Sequence, residues 1–191
     1  MTQTEVKLQD AGAQMKLALQ HGADDVMFRT CINAFLAAAR SVTMIMEQES
    51  EACPPLHDWY KDQTSAMSKD ALCRFFVNQR NLSIHKAVVQ PKRAFFVVKN
   101  AEWWRQRHPE RGWIAAGKFT TPDEGPDAAV GDVIFAGRDH ALTWIFPDAP
   151  QGMADDTCNV IRLCETYFIR LRLMVADWLE KRLQFMNAKV G

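Results

Sequence analysis

Hydrophobic and polar positions alternate with the spacing of α-helices over most of the chain. Residues 157–188 show it best, because apolar side chains recur there every three or four positions and predict a long helix buried on more than one side. The same spacing predicts a helix at 23–51 and a shorter one at 13–19. Further helices are predicted at 56–66 and in a segment that follows an N-cap at Ser68 and ends before Pro91.

The period of the pattern changes after Pro91. Four runs rich in Val, Ile, Phe, Trp and Thr predict short strands, at 93–99, 112–120, 132–136 and 141–146. The sequence GRDH at 137–140 predicts a hairpin turn between the last two strands. We therefore expect a mainly α fold, in which a helical bundle carries a small antiparallel β-rich insert, residues 93–150, within one domain that spans 1–191.

Charge is balanced over the whole chain but not along it. There are 23 basic and 23 acidic side chains. Residues 80–118 hold nine basic and two acidic side chains, whereas residues 119–156 hold one basic and eight acidic ones. This asymmetry indicates either an anionic partner for the basic segment or two segments that neutralise each other in the fold.

Membrane insertion and secretion are not indicated by the sequence. No window approaches the roughly 18 uninterrupted apolar residues of a membrane span, since Asn33 and Arg40 interrupt the longest candidate. The N-terminal residues lack the basic flank and apolar block of a secretory signal, so we expect a cytoplasmic protein. The five cysteines form no CxxC pair and show no metal-ligand spacing with the histidines, so neither a disulfide framework nor a metal site is expected.

The stretch FFVNQRNLSIHK, residues 75–86, places polar side chains in an apolar helical pattern. Asn81 and His85 are four positions apart and share a helix face, and Arg80 is long enough to reach toward both. An arginine beside an imidazole suits phosphate chemistry, because the guanidinium holds phosphate oxygens and the imidazole moves protons. The alternative is that Arg80 and His85 only cap the end of the helix.

This arrangement resembles the HEPN superfamily of small helical bundles, in which an Arg is followed by a polar residue and, a few positions later, by a His. Arg80-Asn81-Leu82-Ser83-Ile84-His85 fits that motif, and the segments at 28–42, 57–60, 67–81 and 160–175 are similar to the helices of one bacterial HEPN-like group. The resemblance implies a HEPN-like four-helix bundle, with the β-rich insert between the third and the last long helix. It also implies a catalytic set of Arg80, Asn81 and His85.

Many proteins of that superfamily are metal-independent endoribonucleases of toxin–antitoxin and defence systems. The resemblance implies that His85 moves the proton of a ribose 2′-hydroxyl, that Arg80 stabilises charge on the phosphate, and that Asn81 orients them. It implies RNA as the substrate, no cofactor, a homodimer that brings two motifs together, and a nucleotidyltransferase-like antitoxin as a possible partner. The alternative is a HEPN-like bundle that binds RNA, a nucleotide, a small ligand or a protein without cutting.

A second group of residues is a candidate RNA-binding surface. Tryptophans interleaved with cations can stack on bases and hold phosphates, and here the group consists of Lys86, Trp103, Trp104, Arg105 and Arg107. The alternative is a tryptophan pair that covers the core beside a solvated basic edge.

Overall fold

The computed structural model describes residues 1–85, 87–98, 118–120, 132–133, 142–149 and 159–187. At 84, 85, 93–98, 118–120, 132–133 and 142–143 it describes the backbone alone. These residues form five helices and four strands: α1 (Gln3–Gln20), α2 (Asp25–Glu51), α3 (Pro54–Lys69), α4 (Ala71–His85), β1 (Lys92–Val98), β2 (Lys118–Thr120), β3 (Asp132–Val133), β4 (Leu142–Ile145) and α5 (Val160–Asn187). The protein is therefore mainly helical, as the sequence predicts.

The chain divides into two compact units. The first contains Met1–Val89 and Ile161–Gly191, and the second contains Gln90–Val160. The prediction that residues 93–150 are an insert within a single domain stays a prediction. None of the helices that the structure describes is both long and apolar enough to cross a membrane.

The first helix is longer than the sequence predicts, because its start is set by a cap. The Thr2 hydroxyl accepts the backbone N–H of Glu5 at 3.1 Å, and the Glu5 carboxylate accepts the backbone N–H of Thr2 at 2.6 Å. This reciprocal capping box satisfies two donors that a helix start otherwise leaves unpaired. The buried positions of α1 include Thr4, Ala11 and Ala18, which are too small to produce a strong hydrophobic pattern.

The boundary between α3 and α4 also differs from the prediction. Ser68 lies inside α3, where its hydroxyl donates to the carbonyl of Ser65 at 2.7 Å. Asp70 caps α4 instead, since its carboxylate accepts the backbone N–H of Cys73 at 2.9 Å. Both residue types are good caps, and Asp70 is the one that also forms an ion pair with Arg170 of α5.

A core cluster joins α2, α3 and α5; we call it the Trp178 cluster, and it consists of Val42, Met46, Leu56, Tyr60, Met174, Val175 and Trp178. Its polar atoms have partners inside the protein. The Trp178 indole donates to the Ser50 hydroxyl at 2.9 Å, which in turn donates to the Met46 carbonyl at 2.6 Å. The Tyr60 hydroxyl donates to the Thr43 carbonyl at 2.9 Å. Burial raises the pKa of Tyr60 to about 12.

In the second unit, β1 is the central strand of a four-stranded antiparallel sheet. Phe95 aligns with both Thr120 of β2 and Leu142 of β4, and Val97 aligns with both Lys118 of β2 and Val133 of β3. Because a strand has two edges, β3 and β4 share the edge opposite β2 and follow each other along it.

The predicted hairpin between residues 132–136 and 141–146 is therefore wrong. Both strands run antiparallel to β1, so they run in the same direction and cannot be the two arms of a hairpin. The segment GRDH at 137–140 lies outside the described residues. Turn propensity is a local property, whereas here both strands pair with β1, which lies 34–36 positions from its partners in β3 and 47–53 positions from those in β4.

Candidate functional site

The helix that carries the predicted site, α4, is held at its start by Asp70. Besides capping Cys73, this carboxylate forms an ion pair with Arg170, which ties the first turn of α4 to α5. Burial by itself would raise the pKa of Asp70, but the Cys73 N–H and the Arg170 guanidinium outweigh it and lower that pKa below its ordinary value. The start of α4 is thus fixed by a charged contact as well as by its cap.

Aromatic packing holds the middle of α4. Phe76 is 2% exposed and stacks on Tyr167 of α5, with ring centroids 4.4 Å apart and planes 3° from parallel. Its edge meets Phe35 of α2 at 6.2 Å and Phe75 at 5.5 Å. Such contacts prevent α4 from rotating about its axis, so they determine which residues of the helix face outward.

The far end of α4 is fixed by an asparagine of α2. The Asn33 amide donates to the Val89 carbonyl at 2.9 Å and accepts the Val89 N–H at 3.1 Å. Its oxygen also accepts the Ser83 hydroxyl at 2.9 Å. We call Asn33, Ser83 and Val89 the Asn33 network. It pairs a side-chain amide with a backbone peptide unit, which positions the last turn of α4 and the chain that comes after it.

The structure brings two of the three predicted catalytic residues together. A terminal guanidinium nitrogen of Arg80, Nη1, donates to the Asn81 amide oxygen at 3.0 Å. Asn81 is exposed and Arg80 is half-buried. The Nε of Arg80 is buried and has no hydrogen-bond partner within the part of the chain that the structure describes. The pair can therefore present a permanent cation, oriented by an amide, at the protein surface.

His85 is the last residue of α4, and its side chain lies outside the described residues. The helical backbone places position 85 one turn after position 81, on the same face. The predicted RNA-binding residues Lys86, Trp103, Trp104, Arg105 and Arg107 also lie outside the described residues. Among the side chains that are described, no group of three or more His, Cys, Asp or Glu could hold a metal ion.

Sequence reasoning missed the residues that hold α4 in place. In the sequence, Asn33 is visible only as an interruption of an apolar helix, and nothing in its neighbourhood indicates that its partners are Ser83 and Val89. Asp70 is visible as a residue beside the predicted cap, but its partner Arg170 is 100 positions away. The one sequence feature that could have indicated a structural role for Asn33 is that this polar residue interrupts an apolar stripe.

Comparison with known protein families gives a match over the first part of the chain. The model of a protein family described as bacteriophage lambda protein ea47 matches residues 1–91 of the 191-residue chain. The matched part covers α1–α4, including Arg80, Asn81 and His85, and ends before β1. No curated protein matches the chain. No solved structure matches it.

Proposed function

We propose that this protein is a HEPN-like, metal-independent endoribonuclease whose catalytic residues are Arg80, Asn81 and His85. The observation that supports the proposal is the contact between Arg80 and Asn81, 3.0 Å long, at the end of a helix that is fixed at both ends. A half-buried guanidinium that an amide orients on a fixed helix suits the stabilisation of a phosphate in its transition state.

The proposed reaction is an internal transfer at phosphorus. His85 takes the proton of a ribose 2′-hydroxyl, whose oxygen forms a bond to the adjacent phosphorus while the bond from phosphorus to the 5′-oxygen breaks. Arg80 donates hydrogen bonds to the non-bridging oxygens as charge develops on them, and Asn81 holds the guanidinium in place. The 5′-oxygen takes up a proton, so the products are a 2′,3′-cyclic phosphate and a 5′-hydroxyl.

The proposal includes a homodimer, because one chain supplies one set of these residues. Support comes from α5, whose outer surface exposes large apolar side chains: Ile169, Leu173, Leu183 and Met186 are 47%, 58%, 63% and 54% exposed. Several exposed apolar residues along one helix are typical of a face that packs against a partner. We propose that two copies associate along α5, with α1–α4 forming the HEPN-like bundle around it.

Dimerisation is tested by placing a charge on that face. We expect Leu183→Glu to give a monomer in sedimentation analysis and to lose RNA cleavage, because a carboxylate cannot be buried in an apolar interface without a partner. Leu17→Glu makes the same change at an exposed leucine of α1 and should leave both properties unaltered. A Leu183→Glu protein that stays dimeric would contradict this part of the proposal.

The setting that we propose is a toxin or a stress or defence component in the cytoplasm, neutralised by a nucleotidyltransferase-like antitoxin. The match to a family described by a phage protein is compatible with such a setting. The second candidate function is a HEPN-like bundle that binds RNA, a nucleotide, a small ligand or a protein without cutting. The balanced charge of 23 basic and 23 acidic side chains favours those forms of it whose ligand is not RNA, since proteins that bind RNA usually carry a basic excess.

RNA cleavage by the purified protein in excess chelator separates the two functions. We expect cleavage that leaves 2′,3′-cyclic phosphate ends and that falls by about 100-fold or more in His85→Ala, the usual contribution of a general base. His57→Ala, which removes a half-buried histidine of α3, is the matched control. If RNAs of varied sequence stay intact, or if His85→Ala cuts as fast as the control, the nuclease proposal is wrong and the binding function replaces it.

A further inference from the structure

A second site lies within the first unit, in a cavity of about 230 Å3 between α2, α3, α4 and α5. We call it the Arg40 cavity. Its lining includes two arginines, Arg40 of α2 and Arg74 of α4, and none of the described residues that line it is Asp or Glu. None of the proposed catalytic residues lines it either, so the cavity is separate from the proposed nuclease site.

Arg40 is held in place without a carboxylate. Its Nη1 donates to the Thr43 hydroxyl at 2.8 Å, and that hydroxyl donates to the Arg40 carbonyl at 3.0 Å. Neither Arg40 nor Arg74 forms an ion pair with an acidic side chain among the described residues. A half-buried guanidinium that is oriented but not neutralised is a ready partner for an anion.

Tyr167 adds an uncharged donor to the lining. It is 5% exposed, its ring stacks on Phe76, and its hydroxyl has no hydrogen-bond partner among the described residues. Burial raises its pKa far above the ordinary value, an effect that the Arg40 charge opposes only weakly. The hydroxyl therefore stays protonated at neutral pH and can donate a hydrogen bond to an anionic oxygen.

Most of the cavity surface is apolar and is contributed by side chains such as Met67, Cys73 and Val77, while Thr64, Ser68 and Asn78 add uncharged polar groups. The cavity is smaller than the roughly 300–1,000 Å3 of pockets that hold drug-sized ligands, so its ligand must be small. We propose that the Arg40 cavity binds a small organic anion, whose carboxylate or phosphate group pairs with Arg40 and Arg74 while its apolar or aromatic body packs against Met67 and Val77.

The test is titration calorimetry of the full chain with benzoate, phenyl phosphate and uncharged benzyl alcohol as probes. We expect one or both anions to bind and benzyl alcohol to bind at least about tenfold more weakly, which is the usual effect of one charge-assisted hydrogen bond. The stronger of the two anions identifies the ligand as a carboxylate or a phosphate. Inorganic phosphate should bind more weakly than phenyl phosphate, since it lacks the apolar body.

Variants show whether binding occurs in this cavity. We expect Arg40→Gln and Arg74→Gln each to weaken anion binding by about tenfold or more, and Tyr167→Phe, which keeps the stacked ring, to weaken it by about threefold to tenfold. Arg172→Gln, an exposed arginine of α5 outside the cavity lining, is the matched control. Arg74 is exposed, so its variant should fold normally even if Arg40→Gln does not.

Three results would overturn the proposal. The first is equal affinity for benzoate, phenyl phosphate and benzyl alcohol. The second is unaltered anion binding in a folded Arg74→Gln protein. The third is that the wild-type protein binds neither anion at millimolar concentration.

Discussion

The Trp178 cluster and the end of α4 both place polar atoms among apolar neighbours, yet these atoms are used differently. In the cluster, the indole of Trp178 and the hydroxyls of Ser50 and Tyr60 donate to oxygens inside the protein. At the end of α4, the Nε of Arg80 is buried without a partner among the described residues, and Nη1 is bonded only to an exposed amide. Polar groups in the first region complete the packing, whereas the Arg80 side chain in the second is half-buried and is paired, among the described residues, only with an exposed amide.

This difference predicts that stability and function depend on separate residues. Substitutions in the Trp178 cluster and in the residues that fix α4 should lower the free energy of unfolding, in proportion to what each one buries or pairs. The loss of stability should decrease from Trp178 to Asn33 and then to Asp70. Substitution of Arg80 should leave the free energy of unfolding nearly constant and abolish the proposed RNA cleavage.

Trp178→Ala should have the largest effect. Trp178 is fully buried in the cluster, so we expect its loss to lower the free energy of unfolding by about 3–5 kcal/mol, as for other buried aromatic residues. The measurement is urea denaturation followed by circular dichroism. Trp59→Ala is the matched control, because Trp59 packs on the same cluster but is only partly buried, and it should cost clearly less. Equal costs would show that the cluster is not the centre of the core.

Asn33→Ala should have the second largest effect, because it leaves both the N–H and the carbonyl of Val89 without the partner seen here. An unpaired group away from water costs about 1–3 kcal/mol, so we expect a loss of about 2–3 kcal/mol. Hydrogen exchange of the Val89 amide should also accelerate. Ser83→Ala removes one bond of the same network and should cost about 1 kcal/mol. An unaltered exchange rate in Asn33→Ala would mean that the network does not hold this segment.

Asp70→Ala should cost about 1–2 kcal/mol, the usual effect of a lost N-cap. Asp70→Asn keeps a capping side chain and loses the ion pair with Arg170, so it should cost less than about 1 kcal/mol. The pKa of Asp70 is lower in the folded protein than the ordinary value of about 3.9 in the unfolded chain. Ionised Asp70 therefore makes its full contribution to the free energy of unfolding at pH values above about 3.9. This contribution is lost as the pH falls through the pKa that Asp70 has in the folded protein.

The contribution of Asp70 can be distinguished from that of the other carboxylates by comparing the pH dependence of stability in the wild-type protein and in Asp70→Asn. The difference in unfolding free energy between the wild-type protein and Asp70→Asn should shrink as the pH is lowered from about 6 to about 3, through the ordinary carboxyl range. A difference that stays constant over this range would contradict the lowered pKa of Asp70.

The sequence predicts the helices with large apolar stripes well. Helix α5 is predicted at 157–188 and is found at Val160–Asn187, because residues such as Leu171 and Trp178 repeat at helical spacing. Helix α1 is predicted only as a short piece at 13–19, since its contact face is built from alanines and its start depends on the Thr2 cap. A pattern of large hydrophobic side chains cannot reveal a helix that packs through small ones.

Long-range partners cannot be read from the sequence. The sequence shows that Asn33 interrupts an apolar face. It does not show that the hydrogen-bond partners of the Asn33 side chain are Ser83 and Val89, which lie 50 and 56 positions away. It shows adjacent strands near GRDH, but not that both pair with β1. The predicted site is a local pattern, and the structure adds the contact between Arg80 and Asn81 and the residues that hold their helix.

The most direct test of the account compares Arg80→Ala with Lys16→Ala, which removes an exposed cation of α1 outside the proposed dimer face. Unfolding free energy and RNA cleavage in excess chelator would be measured on the same samples. We predict that each variant keeps its stability to within about 0.5 kcal/mol, as for surface substitutions, and that only Arg80→Ala loses cleavage, by about 100-fold or more. If Arg80→Ala unfolds more easily by several kcal/mol, or cleaves RNA as fast as Lys16→Ala, then Arg80 serves the fold and the account is contradicted.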